Sequence, residues 1–225
     1  IIPLAFGLRE PGFQGAAPPK RDQTIGQALR EAFSYPSFNL LMAGYFVCGF
    51  QVVFIGVHMP SYLKDNGLSP QVASYALALI GLFNVFGTYI AGTLGQRMPR
   101  RFILSFIYLA RAVAISVFLL VPLSPLSVYI FSAVMGTLWL STVPPTNATI
   151  AQIFGVQHLS MLGGFVFCSH QLGSFMGVWL GGYLYDATGS YDIVWYIAIG
   201  LGVLAGLVNL PIKEAPIQRA QPQAA

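Results

Sequence analysis

Charge is what this sequence has least of. Between residues 102 and 211, formally charged side chains stand at three positions, Arg111, Asp186 and Asp192. Over the whole chain they make up 8%, against roughly 25% in soluble domains. A run that long with so little charge cannot be solvated on all sides, which excludes an ordinary water-soluble domain and any disordered class. The basic residues fall in loops rather than along one stripe, so the net charge of +4 carries no nucleic-acid footprint. Cysteine is scarce too. Cys48 and Cys168 each sit inside an apolar segment without metal-ligand spacing, and read as small packing residues. There is no phosphate loop of the G-x-x-x-x-G-K-[ST] kind, no H-E-x-x-H, no carboxylate cluster within an apolar stretch and no G-x-S-x-G. No cofactor, metal or enzymatic activity is therefore expected. His170 and Ser174, four apart on one helix face, are the nearest approach to a hydrolase pair, and no oxyanion site can be argued for them.

What is present is apolar and rich in Gly and Pro. Apolar residues are 56%, mean hydropathy is +0.69, and there are 24 Gly, 15 Pro and 17 Phe. Polytopic helical membrane proteins tolerate Gly and Pro in this way. Six apolar stretches stand out, at 38–63, 72–95, 102–121, 126–154, 159–185 and 193–210. Each is near or above the roughly 20 residues that a span requires. Their connections are short, which forces neighbours in sequence to run antiparallel. The expected fold is all-α and membrane-embedded, with a six-helix domain over 37–212 and a tail over 213–225. Residues 1–36 read as the end of a preceding span (1–6) and a polar, Pro/Gly-rich linker that ends in an amphipathic helix near Thr24 to Phe33. The opening Ile1-Ile2-Pro3-Leu4 has no initiator Met, so a missing upstream part is expected.

Lys and Arg set the orientation. Arg9, Lys20, Arg21 and Arg30, then Arg97, Arg100 and Arg101, then Lys213 and Arg219 all fall on one side if the six stretches cross. The opposite loops hold Lys64 alone. The basic side, with the C-terminus, is thus expected to be cytoplasmic, at a plasma or inner membrane.

The second stretch ends Gly92-Thr93-Leu94-Gly95-Gln96 and the fifth ends Gly182-Tyr183-Leu184-Tyr185-Asp186. Both read G-x-L-x-polar, ninety positions and three spans apart. Three is odd, so the copies face opposite sides of the membrane, the mark of two inverted three-helix repeats.

The segment Gly92-x-x-x-Gln96-Arg97-x-Pro99-Arg100-Arg101 resembles the loop signature G-x-x-x-D-R-x-G-R-R of the major facilitator superfamily, with Gln96 for Asp and Pro99 for Gly. The end of the fifth stretch is similar to the end of span eleven in monocarboxylate-transporter-like members. The resemblance implies half of a twelve-helix fold, spans seven to twelve, working with a missing N-terminal six-helix half. It implies secondary active transport of a small solute through the bilayer; Arg111, His58 and His170 point to an organic anion such as a monocarboxylate as the expected substrate, with protons as a coupling ion. Monocarboxylate carriers are expected to hold a basic residue on span eight; here 72–95 has none, and its mid-span polar residue is Asn84. A truncated or self-standing six-span protein that binds a partner or forms a homodimer is the alternative.

Candidate substrate or coupling residues follow from polarity at mid-span. Arg111 lies about 14 Å past the basic loop at about 1.5 Å per residue, near the bilayer centre. It reads as a counter-charge for a carboxylate, as part of a structural or coupling network, or as a snorkelling side chain; the resemblance places span nine outside the central cavity. Gln51 and His58 share a polar-aromatic face of the first stretch with Phe54 and Tyr62, and Pro60 should kink it. His170 and Gln171 lie mid-way along the fifth. In the fourth, Pro144 and Pro145 interrupt the backbone ladder beside Asn147, offering freed carbonyls to a wet cavity. Gly173, Gly177 and Gly181, spaced by four, form a ridge for close helix approach.

Overall fold

Local chemistry sets where the helices begin and end. In the computed structural model, which describes residues 23–218, α1 spans Ile25–Ser34. Thr24 caps it, accepting from Gln27 N while the Gln27 side chain accepts from Thr24 N, a reciprocal capping box. Pro36, Pro70 and Pro125 stand in the first turns of α2 (Pro36–Asp65), α3 (Pro70–Leu94) and α5 (Pro125–Leu138). A missing N–H costs nothing there. Arg100–Leu120 forms α4, Val143–Phe154 α6, Leu159–Thr188 α7 and Asp192–Asn209 α8. Gly189, at φ 72°, closes α7 with its N–H on Tyr185 O at 2.7 Å. The suggested span at 1–6, the linker residues Arg9, Lys20 and Arg21, and Arg219 lie outside the described residues.

Among the described residues, five segments are long and apolar enough to cross a membrane: α2, α3, α4, the pair α5–α6 taken as Pro125–Phe154, and α8. The 30-residue α7 carries Ser169, His170, Gln171 and Ser174 and is more polar, yet it traverses the same thickness. It runs alongside α2 from the contact of Ser169 Oγ with Met42 O (2.8 Å) to that of Tyr185 Oη with Asp65 Oδ2 (2.8 Å).

The packing partners reveal the inverted repeat. If α2, α3 and α4 form the first repeat and α5–α6, α7 and α8 the second, then α2 packs on α7, α3 on α5–α6 and α4 on α8. First therefore meets second, second meets first, and third meets third. Contacts climb together along α2 and α7, with Phe46 beside Gly173 and Phe50 beside Gly177, so these helices are parallel. The same holds for α3 and the span α5–α6, where Tyr75 meets Tyr129 and Asn84 meets Leu140. By contrast α4 and α8 are antiparallel: Ser105 Oγ donates to Gly206 O at 2.6 Å while Phe118 meets Trp195. A pseudo-two-fold axis in the membrane plane produces this set of directions.

The core holds two large clusters and a small third one of Ile103, Ile107 and Leu138. One large cluster, on the side away from the basic loop, gathers Phe54, Met59, Phe118, Phe131 and Trp195; Phe118 and Phe131 stack with centroids 4.1 Å apart. The other large one, on the basic side, holds Phe38, Leu41, Leu104, Tyr108 and Phe154. Trp139 packs against both. At the periphery, α3 is only 17% buried over its most apolar window, against 61% for α2, and shows Val85, Phe86 and Tyr89 outward. Such a surface suits a hydrocarbon surround. The chain is a multi-pass integral membrane protein.

Candidate functional site

The fourth apolar stretch is two helices, not one. Proline supplies no N–H, and its ring collides with the carbonyl four residues back; for Pro144 and Pro145 those carbonyls belong to Leu140 and Ser141. The α5 ladder stops at Leu138 and α6 starts at Val143, whose N–H falls back to Leu140 O at 3.0 Å. Side chains from the first repeat serve the polar groups of this break. Arg111, from α4, donates through Nε and Nη2 to Leu138 O (3.1 and 2.6 Å) and through Nη2 to Trp139 O (2.5 Å). Its Nη1 reaches Cys48 Sγ on α2 at 3.4 Å. Asn84, from α3, accepts the N–H of Leu140 at 3.0 Å and the hydroxyl of Thr88 at 3.3 Å. Cys48 Sγ also lies 3.3 Å from Thr142 Oγ1.

Arg111 is fully buried. A guanidinium keeps its charge there, and an unpaired charge at that depth would be costly. Here it caps the C-terminal end of α5, where the helix dipole is negative, and Tyr108 lies below it with the ring centroid 5.5 Å from Cζ.

Next to the break opens a cavity of about 520 Å³ between α2, α6 and α7. Tyr45, Asn147, Ser160 and His170 supply its polar wall; Leu140, Val143 and Phe167 supply apolar surface. No lining residue is acidic, and Arg111 is not among them. His170 stacks on Phe167 (centroids 5.6 Å, interplanar 10°) and tilts against Tyr45. Its Nδ1 lies 3.1 Å from Gln171 Oε1 and 3.4 Å from Ser174 Oγ. The Ser174 hydroxyl donates to His170 O at 2.9 Å, a helical back-bond. Gln171 itself is exposed, at the edge of this group.

The remaining polar candidates lie elsewhere. Gln51 is fully buried and donates to Ala198 O of α8 at 2.8 Å. His58 sits toward the side away from the basic loop, with Nε2 3.0 Å from Val178 O and its ring against Phe54 and Tyr191. Three groups therefore emerge: Asn147 and His170 at the cavity with Gln171 beside His170, Arg111 and Asn84 at the break, and Gln51 and His58 each against another helix's carbonyl. At the basic loop, Arg101 N–H donates to Glu214 Oε1 (2.8 Å), Arg100 pairs with Glu214 (3.6 Å) and with Gln152 Oε1, and Gln96 and Arg97 are exposed. Gly92 borders Pro144 in a second cavity, of about 430 Å³.

Sequence reasoning missed Tyr45, Thr142, Glu214 and the bridging role of Cys48. Tyr45 lies within a turn of Cys48 on α2, and its polar tip in an apolar run was a usable signal. Nothing in the order of residues tied Glu214 to a loop more than a hundred positions earlier.

The comparisons with known proteins agree with this architecture. A family model described as the Major Facilitator Superfamily matches residues 11–225. The chain is 25% identical over 217 residues to an uncharacterized MFS-type transporter, YcxA, of Bacillus subtilis (strain 168), covering 93% of this chain and 52% of that protein. It is 26% identical over 181 residues to monocarboxylate transporter 13 of Rattus norvegicus, covering 78% and 40%. To monocarboxylate transporter 14 of Homo sapiens it is 27% identical over 165 residues, covering 70% and 31%. The chain thus spans about a third to a half of the length of these relatives. With the loop signature, the inverted packing of three-helix repeats and a family match over nearly its whole length, the chain belongs to the Major Facilitator Superfamily.

Proposed function

We propose that this chain forms one half of a secondary active transporter that moves a small organic anion, a monocarboxylate by preference. The carrying observation is the chemistry of the 520 Å³ cavity: Tyr45, Asn147 and His170 offer hydrogen-bond donors, no carboxylate opposes an anion, and Phe167 and Val143 offer apolar surface for a short carbon chain. The relatives named monocarboxylate transporters support the same class. Transport proceeds by rocking against a second six-helix half around a site near the bilayer centre, with the basic side cytoplasmic by the Lys/Arg bias. His170 is the titratable side chain of the cavity wall, and protonated it presents a positive charge to a carboxylate; it is our candidate for coupling anion and proton entry.

The test is uptake of radiolabelled lactate, pyruvate and acetate into proteoliposomes that hold the full-length protein, with and without an inward proton gradient. Saturable uptake stimulated by the gradient, and reduced at least about tenfold in His170→Ala or Asn147→Ala, is the expected result. Absence of uptake of every carboxylate by wild type overturns the substrate class.

A further inference from the structure

The contacts of Arg111 at the broken span define more than a place where a buried charge finds partners. We propose that Arg111 is a positioning residue: its guanidinium takes the carbonyls of Leu138 and Trp139, which the break imposed by Pro144 and Pro145 leaves without the amides of Thr142 and Val143, and so fixes the angle of α6 against α5. The proposal deepens the transport reading above and rests on it for its functional consequence, though not for its first test.

Four observations support it. The guanidinium uses all three nitrogens, two of them on the last carbonyls of α5 and the third on Cys48 of α2, so it fixes a direction as well as a position. None of these partners is an Asp or Glu side chain. The groups around it, Tyr45, Cys48, Tyr108 and Thr142, include no carboxylate. The amide on the far side of the break, Leu140 N–H, is served separately by Asn84. Both polarities of the interrupted backbone are thus met by side chains of the first repeat.

The symmetric copy supplies a control. Ninety positions before Pro144 and Pro145 stand Phe54 and Ile55, and α2 is continuous there. Ninety positions after Arg111 stands Leu201. The arginine occurs opposite the break and has no counterpart opposite the intact helix.

The consequence lies in α6. This 12-residue helix has the 520 Å³ cavity on its α7 side and cavities of about 430 and 470 Å³ on its α3 side. Leu140 and Val143 border cavities on both flanks. The tilt of α6 therefore divides the free volume between the two flanks, and Arg111 sets that tilt without touching the cavity.

A double-mutant cycle tests the stand-in role. Thermal unfolding of the full-length protein in detergent is compared for wild type, Arg111→Met, Pro144→Ala/Pro145→Ala and the triple variant. Alanines return the missing N–H groups and remove the ring clashes, so the span can close its own ladder. Arg111→Met should lower the melting temperature strongly in the wild-type background and by less than half as much in the alanine background. Equal losses in both backgrounds overturn the proposal. Should Arg111→Met not fold, Arg111→Lys and Arg111→Gln enter the same cycle. In the uptake assay, Arg111→Lys should keep KM within about twofold while maximal velocity falls about tenfold. A tenfold rise in KM at unchanged velocity makes Arg111 a substrate ligand and overturns it. If wild type carries no carboxylate, the transport reading fails while the thermal cycle still decides the role of Arg111.

Discussion

Two helix pairs occupy equivalent places in the pseudo-symmetric fold, α2 with α7 and α3 with α5–α6, and they solve the same packing problem with the parts exchanged. At one crossing of the first pair the small residue is on α7: a Cβ on Gly173 would lie 1.9 Å from Phe46 O. Ninety positions from Phe46 stands Gly136, and ninety before Gly173 stands Phe83. There a Cβ on Gly136 would lie 2.9 Å from Phe83 Cβ. Glycine and phenylalanine have traded helices while the close approach has stayed. Parallel helices in lipid gain little from the hydrophobic effect, so contact at this range is what holds them. What differs is continuity. The first pair uses an unbroken 30-residue helix; the second uses a span cut at Leu138 and mended by Arg111 and Asn84. The repeat geometry thus fixes where helices touch, and leaves open whether the helix there is whole.

The largest effect should come from filling the close approaches. Gly173→Ala and Gly87→Ala each place a methyl within 2 Å of a backbone oxygen, that of Phe46 and of Thr137 respectively. Because backbone must shift, each should cost at least the roughly 1–3 kcal/mol typical of overpacking, read as loss of a monodisperse peak in gel filtration or a large fall in melting temperature. Equal losses in the two pairs would sharpen the equivalence; tolerance in one pair would break it. Gly182→Ala, where a Cβ meets nothing within 4 Å, is the neutral control.

A comparable effect should follow from carrying the break into the intact copy. Ile55→Pro puts a proline at the position matched to Pro145. With no arginine opposite, it should destabilise by about 3 kcal/mol or more, seen in thermal unfolding. Wild-type stability in that variant would mean that the break requires no mending. Asn84→Ala strands the Leu140 N–H and should cost about 1–3 kcal/mol in the same measurement. The smallest change is expected at the basic loop. Glu214→Gln keeps an acceptor for Arg101 N–H but discharges the partly exposed pair with Arg100, whose side chains are 20% and 12% exposed, so the loss should stay below about 1 kcal/mol and vanish in high salt.

Much of the fold could be read directly from residue order, because membrane spans are constrained one at a time. Sparse charge located the apolar stretches, and Pro144-Pro145 marked a weak point in the ladder. The fifth stretch was legible by its flanks and length even though Ser169, His170 and Gln171 dilute its hydropathy. The candidate site was legible only in part. Polarity at mid-span pointed to Arg111, Asn84, Asn147 and His170, yet could not sort those at a cavity from those at a break, since that depends on which helices pack together. Freed carbonyls were expected to face a wet cavity; at the break, Arg111 takes the carbonyls of Leu138 and Trp139 and the Val143 N–H that of Leu140. The function of Cys48 was hidden for the same reason: a thiol reads as a small hydrophobe until a guanidinium and a hydroxyl are seen beside it.

The segment after α8 carries a consequence for the order of assembly. Lys213 N–H bonds Ser37 Oγ at 2.9 Å, Glu214 holds the start of α4, Ile217 N–H takes Ile153 O at 3.0 Å, and Ile212 is fully buried among the helix ends. These residues follow α1 to α8, so they leave the ribosome after all eight of those helices. The basic-side mouths of α2, α4 and α6 accordingly stay unfastened during synthesis, and insertion of the six spans must be complete before the last stitches can be drawn.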